Sequence, residues 1–145
     1  MSAINRYLLT TILFSLSCSA LAELTIKEGY VRGLPPGQPN TAAFMRLVNT
    51  ADQDVVITGA ASNGAELAEV HSHKHHHGMM SMEKVDQLTV PANGELVLAP
   101  GKYHLMLINL IKPLRESDEV LIRLFNDEEE LTRATLPVRS VLNER

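Results

Sequence analysis

Apolar and polar positions alternate along the chain from Leu24 onward, in short segments broken by turn residues. Side chains two apart share one face of a strand. The alternation therefore predicts strands over Leu24–Val31, Thr41–Asn49, Val55–Ala61, Glu66–His73, Met79–Val90, Glu95–Ala99, Tyr103–Ile111, Val120–Asn126 and Leu131–Val138. Between them lie Pro35–Asn40, the polar Thr50–Asp54, Asn63-Gly64, Pro91–Gly94 and Pro100-Gly101, all rich in turn formers. The last two strands read as a hairpin around the acidic run Asp127–Glu130, taken as a solvated turn. No segment carries a long 3.6-residue period with caps. Strands at roughly 8–12-residue spacing predict an all-β, antiparallel sandwich or barrel. With no repeat and no linker, it forms a single domain over residues 23–145.

Residues 1–22 stand apart from this pattern and read as an export signal. Arg6 supplies the positive start, Tyr7–Leu16 an apolar stretch, and Ala20-Leu21-Ala22 the small-x-small site for cleavage after Ala22. The apolar run is short of the ~20 residues that span a bilayer, so stable membrane insertion after cleavage is not expected. Cys18 is a candidate for acylation, but Ser15-Leu16-Ser17 is a poor match to a lipid-attachment box.

Cleavage removes the only cysteine. The exported chain then has no disulfide, thiol nucleophile, iron–sulfur cluster or blue-copper thiolate. Loss of Arg6 also leaves 12 basic against 17 acidic residues, a net −5. No two basic residues adjoin, and Trp is absent, so nucleic acid is excluded as a partner. There is no GxSxG, HExxH, P-loop or GxGxxG pattern, and no enzyme activity is expected.

The histidines and methionines change the picture. All six histidines lie between His71 and His104, and four of the six methionines fall between Met79 and Met106. Core packing does not concentrate imidazoles in this way. His71 and His73, Met80 and Met82, and His104 and Met106 are i, i+2 pairs, each on one face of a predicted strand. Thioether is a soft, neutral donor suited to Cu(I), and imidazole suits Cu, Zn or Ni. Thioether also does not titrate, and it survives conditions that oxidise paired thiols. The chemistry points to copper. Secondary candidates are His73, His75, His76, His77, Met79 and Met80, as a Cu(II) or Zn(II) site in a His-rich loop.

The order His71, ten residues, Met82, twenty-one residues, His104-x-Met106 resembles the signature of the periplasmic copper chaperones called PCu(A)C. So do Pro35–Met45, Ala68–His73, Gly78–Met82, Pro100–Leu107 and Lys112-Pro113-Leu114. The resemblance spans nearly all of Glu23 to Val138. It implies a cupredoxin-like β-sandwich that holds Cu(I) through His71, Met82, His104 and Met106. It implies delivery to the copper centre of cytochrome c oxidase, directly or with a Sco-type assembly protein, in the periplasm. His73-Lys74-His75-His76-His77 is denser in imidazole than the family pattern, so two other readings stay open. One is a periplasmic copper or zinc buffering or resistance protein that uses this loop. The other is a metal-free β-sandwich module.

Overall fold

A computed structural model describes residues 23–127 and 129–143. The export signal and its cleavage site lie outside the described residues. Eleven strands follow in order: β1 (Leu24–Gly33), β2 (Thr41–Asn49), β3 (Val55–Ile57), β4 (Gly59–Ser62), β5 (Ala65–His76), β6 (Met79–Lys84), β7 (Leu88–Val90), β8 (Glu95–Leu98), β9 (His104–Leu110), β10 (Glu119–Asn126) and β11 (Glu129–Ser140). A single 3₁₀ turn, Val141–Asn143, follows β11. Among the described residues there is no α-helix, and none long and apolar enough to cross a membrane.

The strands close on themselves. Hydrogen bonding runs β1-β11-β10-β4-β5-β9-β2 and returns to β1 through the β1–β2 pairing. β8 extends β2 and β6 extends β5, while β3 and β7 form a separate two-stranded sheet. Closure removes the unpaired edges that an open sheet exposes. All pairings are antiparallel except β1 with β11, where Val31 registers with Val138. Alternation fixes what lies inside: Val31, Ala43, Leu47, Leu105, Leu107 and Ile122 are wholly buried in one continuous core.

Two long strands expected from sequence are each divided. Val55–Ala61 breaks at Thr58, whose N–H donates to the Phe125 carbonyl while its hydroxyl accepts from the Asp127 N–H. β3 can then pair with β7, and β4 with β10. Met79–Val90 breaks after Lys84, where the Val85 N–H donates to Val70. In the other direction, β5 continues three residues past His73 to His76, so the His-rich stretch is strand rather than loop. A two-residue turn ends it: His77 and Gly78 have φ of 50° and 80°. Positive φ at both positions matches the right-handed twist of a hairpin, and Gly78 adopts it without steric cost. The acidic run is likewise not all turn. Glu129 and Glu130 belong to β11, and Glu130 bridges Arg123 and Arg133.

Candidate metal centre

The site is a matter of register. β5 lies between β6 and β9, with His71 opposite His104 on one side and His73 opposite Met82 on the other. His75 opposes Met80, and Glu69 opposes Met106. Directly opposed residues point to the same side of a sheet, as do residues two apart. His71, His73, His75, Met80, Met82, His104 and Met106 therefore share one face. His76 and Met79 oppose each other on the reverse face, and His77 sits in the turn.

On that face is a cleft of about 370 Å³, lined by His73, Met80, Met82, His104 and Met106 from this cluster. Arg32, Ala42 and Phe44 also line it, with the Arg32 guanidinium carbon 4.8 Å from the centre of the Phe44 ring. His104 is at the floor, 3% exposed, whereas Met82 and Met80 at the mouth are 56% and 62% exposed. The His104 ring centre is 5.0 Å from that of His73 and 6.0 Å from that of His71.

His104 carries the most informative hydrogen bonding. Its Nδ1–H donates to the Lys102 carbonyl at 3.2 Å, and its buried Nε2 has no partner. A buried polar atom without a protein partner costs about 1–3 kcal/mol, and such an orphan in a folded protein calls for an explanation, of which a bound ion is one. Burial pushes the His104 pKa down, and the nearby His73, His71 and Arg32 add to the effect. The ring is thus held neutral, with a lone pair on Nε2.

His71 sits differently. It does not line the cleft; its Nε2 is 3.0 Å from Glu69 Oε2, and Glu69 Oε1 is 3.3 Å from Lys84 Nζ. The hydrogen bond from His71, together with Lys84, holds the Glu69 carboxyl below its ordinary pKa. A carboxylate only accepts, so His71 donates from Nε2 and keeps its lone pair on Nδ1. Glu69 is the residue that sequence reasoning missed. Its signal was there, since a carboxylate two residues before His71 shares its face.

The donor set decides which ions suit the face. Among the described residues, no three His, Cys, Asp or Glu side chains converge to hold a metal. Alternation along β5 also sends His75 and His76 to opposite faces, which disperses the His run. What converges in the cleft is imidazole with thioether, a soft and uncharged set.

Residues 24–138 match the family described as "Putative lipoprotein LpqE-like". A protein of Leifsonia xyli subsp. xyli, "Putative lipoprotein Lxx21020", is 29% identical over 115 residues, covering 79% of this chain and 68% of the relative. The Cu(I) form of DR1885 from Deinococcus radiodurans superposes with a TM-score of 0.67 at 31% identity, over 90% of this chain and 87% of that one. The copper-bound PCuAC domain of PmoF2 gives 0.68 at 18% identity, over 83% and 96%, a likeness of fold. The chain belongs to the LpqE-like family, whose fold is that of the PCuAC domains.

Proposed function

We propose that this protein is an exported copper chaperone that carries Cu(I) on the β5–β6–β9 face. His71, Met82, His104 and Met106 are its ligands. The observation that carries the reading is the buried, unpartnered Nε2 of His104 at the floor of a cleft with Met82 and Met106. Support comes also from DR1885, solved with Cu(I), and from the copper-bound PmoF2 domain. PCuAC domains are chaperones rather than enzymes, and this chain follows them.

All four ligands are neutral, so the bound ion keeps its single positive charge. The gradient of exposure gives the order of release. An acceptor reaches the exposed Met82 first and replaces its thioether, and the buried His104 lets go last. The acceptor is the copper centre of cytochrome c oxidase or a Sco-type assembly protein. The lipoprotein description of the family supports export; the periplasm as destination and removal of the signal after Ala22 follow from the pattern of residues 1–22.

Anaerobic titration with Cu(I) against a chromogenic chelator tests this reading. The parent retains one tightly held equivalent, and His104→Ala and Met106→Ala each release it. Retention untouched by either substitution would overturn the assignment.

A further inference from the structure

We propose that the tip of the β5–β6 hairpin is a second Cu(I) post, made by His75 and Met80, through which the ion enters and leaves the His104 cleft. The proposal rests on the copper reading above. It begins from exposed methionines that packing leaves unexplained. Met80 and Met82 stand 62% and 56% exposed on β6, where every residue of the strand is exposed. An apolar side chain there loses the burial that normally justifies it.

Register supplies the explanation. The ligand-bearing face is a ladder whose rungs are cross-strand pairs: His75 with Met80, then His73 with Met82, then His71 with His104. Each of the two outer rungs offers one imidazole and one thioether, and directly opposed Cβ atoms lie ~4.5–5.5 Å apart. Two soft neutral donors satisfy Cu(I), whose d¹⁰ shell accepts linear two-coordination. They do not satisfy Zn(II), which takes four ligands, usually including thiolate, carboxylate or further imidazole. Successive rungs are two residues apart, a step of roughly 6.6 Å along the strand. Met80 also lines the same cleft as His73, Met82 and His104, so the tip and the floor share one continuous surface. Exposure falls along it, from the exposed His75 through the half-buried His73 to His104 at 3%. At each step the ion exchanges one neutral donor for another and stays Cu(I).

The reverse face provides a control within the same hairpin. His76 and Met79 form a rung of identical composition, yet it faces away from the cleft. The experiment compares His75→Ala/Met80→Ala with His76→Ala/Met79→Ala in anaerobic Cu(I) titrations against chelators of graded strength, followed by stopped-flow release to a strong chelator. The parent is expected to hold a second, weaker equivalent beyond the tight one. The His75/Met80 variant loses that second equivalent, keeps the first, and releases it more slowly. The His76/Met79 variant matches the parent. A parent that saturates at one equivalent, or a second equivalent that survives the loss of His75 and Met80, overturns the proposal and leaves the tight site intact. A parent that holds no Cu(I) overturns the copper reading itself.

Discussion

His104 and Lys102 are tied by a hydrogen bond from the ring Nδ1–H to the Lys102 carbonyl, and that bond decides which nitrogen of the imidazole remains free. With Nδ1 engaged, the lone pair sits on the buried Nε2. In the proposed site, fold stability and metal affinity then pull against each other at one residue. His104→Leu fills similar volume and removes the orphaned atom. The metal-free variant should be as stable as the parent, or more stable by about 1 kcal/mol, while its tight Cu(I) is lost. Thermal unfolding of the metal-free proteins checks the first part, and a melting temperature several degrees lower would contradict it.

Glu69 should matter to copper without touching it. A carboxylate that accepts from a ligating imidazole fixes its tautomer and orientation, and losing such a partner typically costs ~10–100-fold in metal affinity. Glu69→Ala is expected to weaken Cu(I) binding on that scale. Glu69→Gln, whose amide oxygen still accepts, should recover part of it. Long-range ¹H–¹⁵N spectra of the metal-free protein should show His71 protonated on Nε2 in the parent, and a tautomer mixture in the Ala variant. An unchanged His71 tautomer would remove the positioning role.

Asn49 should matter to the fold and leave copper alone. Its amide Nδ2 reaches the carbonyls of Gln53, Val90 and Pro91 at 2.8, 3.2 and 3.1 Å, and its Oδ1 accepts from Ala51 N at 2.9 Å. The side chain is 1% exposed and ties the end of β2 to the end of β7. Asn49→Ala strands several of these groups and should cost about 2–3 kcal/mol. Chemical denaturation measures the loss, and Cu(I) affinity of the folded variant should equal that of the parent.

Acid sensitivity should trace in part to Glu130. Hydrogen bonds from Arg133 and Arg123 hold its carboxyl below the ordinary 4.5. With the folded pKa depressed, its stabilising contribution is fully present above the unfolded value and is lost as pH falls through the folded one. Glu130→Gln should lower the melting temperature near neutral pH and flatten its decline between about pH 6 and about pH 3. Parallel curves for the two proteins would show that this ion-pair cluster contributes nothing to acid unfolding.

Much of this molecule is written in local pattern. Alternation in Tyr103–Ile111 places His104 and Met106 on one side and Leu105 and Leu107 on the other, and the fold keeps that division. Ring closure was not legible, because the parallel pairing of β1 with β11 joins segments more than a hundred residues apart in sequence. The extension of β5 through His76 was hidden as well. A run of histidines lacks the apolar–polar rhythm of a strand, and here pairing with β6 imposes the conformation. The spacing puts Glu69 on the face of His71, but its role depends on the ring of His71 turning toward it, which spacing alone does not specify.

The His77-Gly78 turn gives the site an arithmetic of odd and even. Because each donor on β6 is assigned to a face by counting from that turn, one inserted residue would bring Met79, Ser81 and Glu83 onto the cleft face in place of Met80, Met82 and Lys84. Such a chain would have the same donors and nearly the same composition, yet the place opposite His73 would present the hydroxyl of Ser81 where it now presents the thioether of Met82. The pairing of imidazole with thioether on this face is therefore stored in the length of a two-residue turn as well as in which residues the chain has.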